Sequence, residues 1–226
     1  ETNQSLADTK VWLDASAQFG PLVKPIITPR FVPSCTSELM TGLAKLAKEY
    51  DVPVQSHLWE NHGEIDWVAA LHPESSNYTD VYYEHHLMGT VPTVMAHCIH
   101  LSDVEMDRMA ETQTMVSHCP YSNVNLSSGI APIRKLIERN IPIGLGSDIS
   151  GGHIVSMAKV LTEAIGLSKM KWAEVDPNYA PLTLSEAFYM STKGGGQFFG
   201  HVGSFEKGYE LDALIIDDAS LFDPNE

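Results

Sequence analysis

The sequence predicts an α/β fold carried on a parallel sheet, with a smaller β segment at its C-terminal end. Three observations predict it. Short apolar runs rich in Val and Ile recur along the chain, each is followed by a polar turn and a stretch of helical periodicity, and each run ends on a polar or ionisable residue. The candidate strands are residues 23–29, 52–57, 93–97, 114–118 and 141–148. Helices are predicted at 37–50, where Leu39, Leu43, Leu46 and Ala47 repeat at helical spacing, and at 102–112, where Ser102 caps and Glu105 follows three residues later. Further helices are predicted at 130–139, 154–170 and 184–193, the last behind a Thr183/Glu186 capping box. Residues 73–77 read as a polar loop.

From 203 to 218 the pattern changes. GSFEKGYELDALIIDD has two glycines, alternation and a β-rich end, so it reads as strands of a separate small sheet. The expected division is residues 1–200 for the βα units and 201–226 for the small β-sandwich part. Five βα units do not close an eight-stranded barrel, and a parallel strand at an open edge leaves backbone groups unpaired. The expectation is therefore a partial (β/α)8 barrel, truncated ahead of Glu1, with three preceding units lying outside it.

Composition narrows the function. The chain has 226 residues, 43% of them hydrophobic, which suffices for a packed core. A formal net charge of −15 with only 14 Lys and Arg disfavours nucleic acid and anionic membrane surfaces as partners. A small neutral or cationic substrate suits it better. No apolar run of about 18 residues spans a bilayer, and the polar opening is not a signal peptide. Cys35, Cys98 and Cys119 are too few and too scattered for a disulfide framework, so a reducing, cytoplasmic setting is expected.

In barrels of this class the chemistry lies at the C-terminal strand ends. Here those ends carry Gln55-Ser56-His57-Leu58-Trp59-Glu60-Asn61, Ala96-His97-Cys98, His118-Cys119-Pro120 and Gly146-Ser147-Asp148. One His at a strand end is more often a hydrogen-bonded structural residue than a ligand. His, then Glu three residues on, then His, then Asp, all at one edge, is the mixture that metal-assisted hydrolysis needs: imidazole and carboxylate bind a divalent ion while a free carboxylate moves protons. The glycines at 151–152 and 194–196 lack the context of phosphate loops. Gly151 and Gly152 instead let the backbone turn close to the site.

These residues resemble the amidohydrolases and, within them, the guanine deaminases. The match covers nearly the whole chain through PRF at 29–31, SHLWEN at 56–61, MAHC at 95–98, SHCPYSN at 117–123 and GLGSD at 144–148, whose order is similar to that of strands four to eight of the family barrel. The resemblance implies one zinc ion per site, with His57 and Asp148 as ligands. It implies that Asp148 takes a proton from water, that His97 orients hydroxide or substrate, and that Glu60 shuttles the proton to ring N3. Hydroxide would attack C2 of guanine, giving xanthine and ammonia in purine catabolism. Arg30 would bind a purine carbonyl and Phe31 would border the ring, with His57 and Glu60 also lining the substrate site. The alternative for Arg30 and Phe31 is a surface Arg beside a core Phe. Trp59 walls the pocket or packs the barrel.

His118 reads as structural, with Pro120 fixing the turn and Ser122 and Asn123 capping backbone groups. His62, His72, His85, His86 and His201 read as solvated, and His100 and His153 as at most supporting the site. The family's HxH pair is absent from this sequence, so the chain alone is expected to retain metal weakly or not at all. The intact enzyme is expected to be a homodimer. Two alternatives stay open: a related amidohydrolase acting on another purine, a pyrimidine or a triazine, and a non-catalytic fragment that associates through its open edge.

Overall fold

The computed structural model describes residues 1–217. Its elements, in chain order, are α1 (Thr2–Ser16), α2 (Ser37–Tyr50), β1 (Val54–Leu58), α3 (His62–Leu71), α4 (Tyr78–Glu84), β2 (Thr93–His97), α5 (Asp103–Glu111), β3 (Met115–His118), α6 (Pro120–Asn125), α7 (Ile133–Glu138), β4 (Ile143–Leu145), α8 (Met157–Glu174), α9 (Leu184–Ser191) and α10 (Lys193–Gly196). The four strands form one parallel sheet in the order β1-β2-β3-β4. Leu58 lies level with His97, Ala96 with Ser117, and His118 with Leu145. This is a section of a (β/α) barrel, in agreement with the expected fold class.

The predicted strand at 23–29 shrinks to a single parallel bridge between Ile27 and Val54. Pro25 and Pro29 cannot donate to a ladder, so only Ile27 exchanges both bonds, through Pro53 O and Gln55 N, each at 2.9 Å. Proline also delays the start of β1 at Pro53 and of β4 at Pro142, and β4 ends before Gly146. Helix α7 is shorter than predicted because Pro132 stands at its N-cap. Thr192, at φ −128° and ψ −105°, separates α9 from α10. Helices α2, α5 and α9 start where their Thr36, Ser102 and Thr183 caps place them.

The expected strands at 203–218 do not form within the described residues. Residues 203–216 carry no ladder, and Leu214 and Ile215 are fully exposed, at 89% and 101%. A strand needs a ladder of bonds to a neighbour, and here Glu210 N–H donates to His201 O at 2.8 Å without a strand forming. Asp218 and the rest of the expected C-terminal part lie outside the described residues.

The outer face of the sheet holds the core, with Val54, Leu58, Met95 and Val116 buried beneath the helices. The inner face is different. Gln55, His57, Ala96, Ser117 and Gly146 border an open cavity of about 1790 Å³, with Phe188 on its far wall. Small side chains let α10 approach closely there: a Cβ on Gly144 would lie 3.0 Å from Gly195 Cα.

Arg134 joins α7 to the segment that enters α9. It donates to Ala180 O at 2.9 Å, Pro181 O at 3.1 Å and both Glu186 carboxylate oxygens at 2.7 and 3.0 Å. Those bonds hold the Glu186 carboxyl down at about 2. A depressed folded value means that the stabilisation is complete above the ordinary carboxylate range, near 4.5, and is lost as pH falls towards 2. Glu186→Gln is expected to cost about 1–2 kcal/mol at pH 7, allowing for partial exposure. Urea unfolding across a pH series checks this: the variant should lose less stability than the parent between pH 4.5 and 2.

Candidate active site

The parallel register brings His57, Glu60, His97 and Asp148 to one sheet edge. His57 lies one residue before the end of β1, and its Nδ1 donates to Arg30 O at 2.7 Å, which leaves Nε2 free. His97 closes β2, and its Nδ1 donates to Asn123 Oδ1 at 3.0 Å. Its Nε2 therefore faces the two carboxylates, 3.8 Å from Glu60 Oε1 and 4.0 Å from Asp148 Oδ2. The imidazoles of His57 and His97 stack with centroids 5.3 Å apart.

Backbone strain shapes this edge. Trp59, His97, Cys98 and Asp148 have φ of 56°, 72°, 52° and 43°, a left-handed conformation uncommon outside glycine. Beside Asp148, a Cβ on Gly151 would sit 2.6 Å from its Oδ2 and 2.7 Å from Ser122 Oγ. Only glycine leaves the carboxylate room. Buried atoms without a partner among the described residues also gather here: Trp59 Nε1, His118 Nδ1, Ser122 Oγ and Asn123 Nδ2.

Arg30 and Phe31 flank His57. The Arg30 guanidinium carbon lies 5.0 Å from the Phe31 ring centre, and Phe31 meets Trp67 edge-on at 6.1 Å. Arg30 is exposed, so its donors face the solvent side of the edge.

Burial pushes the Cys119 thiol up to about 12 and the Cys98 thiol well above its ordinary value. Neither ionises at neutral pH, which removes both as nucleophiles. Burial, aided by the neighbouring His97, pushes His118 down to about 3. It is held neutral.

His57 Nε2, Asp148 and His97 Nε2 are donors of the kind that zinc takes. Among the described residues, however, no group of three or more His, Cys, Asp or Glu side chains is placed to hold a metal ion.

Of the candidates named from the sequence, His57, Glu60, His97 and Asp148 meet at this edge, and Arg30 is tied to it through its carbonyl on His57. Two readings need correction. Asn123 holds the His97 ring rather than a backbone group, and Ser122 Oγ caps nothing. His72, read as solvated, is buried at 7% exposure, and His85 is half-buried with its Nδ1 bonded to Val81 O. The sequence reading missed Asn123's contact and the buried Glu64 and Tyr82 behind β1, because the Asn61/Glu64 spacing signals at most a helix cap and the other two contacts carry no spacing signal at all.

Imidazoles and carboxylates gathered at the strand ends of a (β/α) barrel lie where such folds carry their chemistry. Residues 7–226 match the amidohydrolase family, and the chain belongs to that family; its members are usually metal-dependent. It is 46% identical over 220 residues to a guanine deaminase of Dictyostelium discoideum, covering 96% of this chain and 48% of that protein. With a guanine deaminase of Mus musculus the identity is 41%, over 95% of this chain and 48% of the relative. The chain thus spans about half the length of the curated relatives it matches. A solved guanine deaminase from C. acetobutylicum with bound guanine superposes on all of this chain and 54% of its own, with a TM-score of 0.96 and 50% identity. A zinc-bound adenosine deaminase from Xanthomonas campestris, 22% identical with a TM-score of 0.85, shares the fold.

Because the folded value of His118 lies below the unfolded one, its burial contributes stability above pH 6.5 that falls away as pH drops towards 3. Its imidazole resonances should stay unmoved in NMR from pH 8 to 4. A titration near 6.5 in the folded chain would contradict the burial argument.

Proposed function

We propose that this chain supplies acid–base and ring-recognition groups to a zinc-dependent hydrolase that converts guanine and water to xanthine and ammonia. The convergence of Glu60 and Asp148 on His97 Nε2, beside the free nitrogen of His57, carries the reading. It gains support from the 50% identity to a relative that holds guanine. His57 and Asp148 contribute ligands to the zinc, which when bound lowers the pKa of water and polarises the reacting centre.

The remaining roles belong to this chain. Asp148 accepts a proton from the attacking water. Glu60 carries the other proton of that water to ring N3 as C2 becomes tetrahedral, because a ring carbon accepts a nucleophile only if the developing negative charge is neutralised, and the proton held by Asp148 passes to the departing amino group, which leaves as ammonia. His97 orients the attacking oxygen. Arg30 donates to the purine carbonyl, and the Phe31 ring borders the base. A cytoplasmic, homodimeric enzyme of purine catabolism belongs to the same proposal.

Ammonia release from guanine tests it, measured on the natively expressed protein and on this chain alone with added zinc. Glu60→Gln is expected to lower kcat by about 10²–10⁴. Arg30→Leu is expected to erase the preference for guanine over adenosine derivatives, cytosine and triazines while leaving zinc content unchanged. Equal loss of both would argue against the carbonyl contact. Activity in this chain alone would show that its own donors suffice, and inactivity on guanine in the native protein would remove the substrate assignment.

A further inference from the structure

Behind the strand edge lies a buried polar network that the roles above do not use. Glu64, in the first turn of α3, is 6% exposed. Its Oε2 accepts the backbone N–H of Glu60 at 3.0 Å and of Asn61 at 3.4 Å, and its Oε1 accepts the Tyr78 hydroxyl at 2.6 Å. Asn61 Oδ1 accepts the Glu64 N–H in return, completing a capping box. The fully buried Tyr82 hydroxyl lies 2.9 Å from His57 O and 2.6 Å from Ser56 Oγ, which donates to Pro29 O at 2.7 Å. Two tyrosines of α4 thus connect to the backbone of His57 and, through one carboxylate, to the backbone of Glu60.

We propose that Glu64, braced by Tyr78, is a positioning residue that sets where the Glu60 carboxylate stands relative to His97, with Tyr82 doing the same for His57. This rests on the reading of Glu60 as the proton carrier. A capping box needs no burial: the box of α9 works with Glu186 partly exposed. Burying the Glu64 carboxylate demands that its lone pairs be met, and each donor that meets them sits on Glu60, Asn61 or Tyr78. Trp59, at φ 56°, lies between β1 and Glu60 with its indole against Tyr78 at 6.3 Å. A bulky residue stays left-handed only where its surroundings over-determine it, and the bond from Glu60 N–H to Glu64 is such a constraint.

The fold supplies its own control. Glu105 forms the same kind of capping box on α5, is 1% exposed, and accepts from the N–H and hydroxyl of Thr79 on α4 at 3.2 and 3.0 Å. No candidate active-site residue is bonded to it.

Glu64→Gln, Tyr78→Phe and Glu105→Gln in the natively expressed protein separate positioning from stability. Glu64→Gln is expected to lower kcat on guanine about tenfold to a hundredfold, with KM within about threefold, because misplacing a proton carrier spares ground-state binding. Tyr78→Phe, which leaves the capping box intact, should lower kcat in the same sense by several-fold and carries the test if Glu64→Gln does not fold. Glu105→Gln should lower the Tm yet keep kcat within about twofold. The proposal is overturned if Tyr78→Phe retains the parent kcat, or if Glu105→Gln loses as much kcat as Glu64→Gln. Amide hydrogen exchange at Glu60 and Asn61 needs no substrate: faster exchange in Glu64→Gln and Tyr78→Phe but not in Glu105→Gln upholds the positioning even if guanine proves not to be the substrate. Unchanged exchange overturns it.

Discussion

The register of four parallel strands is the constraint on which the site depends. Leu58 paired with His97, and His118 paired with Leu145, set the heights at which β1 to β4 end, so residues up to 91 positions apart in sequence reach one edge. A slip of one residue in a parallel pair would exchange the inner and outer faces. His57 would then turn towards the helices, and Val54 and Leu58 towards the cavity.

Strain accompanies that register. The chain leaves the ladder at Trp59, His97, Cys98 and Asp148 through left-handed backbone, at roughly 1–3 kcal/mol each. Burial on the outer face offsets it, where Val54, Leu58, Met95 and Val116 are almost inaccessible. Packing on one face therefore sustains the conformations that chemistry needs at the edge. The inner face contributes little packing of its own, since Ala96, Ser117, Gly144 and Gly146 are small.

How much of this was legible in the sequence follows from where each signal resides. Strand β2 was readable to the residue because the apolar run Val94-Met95-Ala96, flanked by β-branched Thr93 and by His97, is bounded by Pro92 and a turn. The run at 23–29 misled because Val23, Ile26 and Ile27 score as strand while Pro25 and Pro29 deny it donors. Helix α1 went unseen because it carries no apolar stripe; it buries only Leu13 and Ser16 and lays Leu6 over Gly42 of α2. The residues at the edge were legible as motifs, whereas their supports were not. Glu64 looks like any capping glutamate, and only the fold shows that Tyr78 covers it.

Three histidines end or nearly end strands, yet the structure treats them differently, and the difference lies behind each ring. His57 has Arg30 O against Nδ1, and His97 has Asn123 Oδ1, so each presents Nε2 at a defined position. His118 has no acceptor at Nδ1 among the described residues, and burial with His97 nearby pushes it down to about 3, which leaves it neutral near pH 7. A strand-end imidazole becomes useful when something behind it selects the tautomer and something before it needs a lone pair. His57 and His97 meet the first condition, and the metal ion of the proposed function would meet the second. His118, within SHCPYSN, meets neither, so that motif marks the family while the oriented rings are those of His57 and His97.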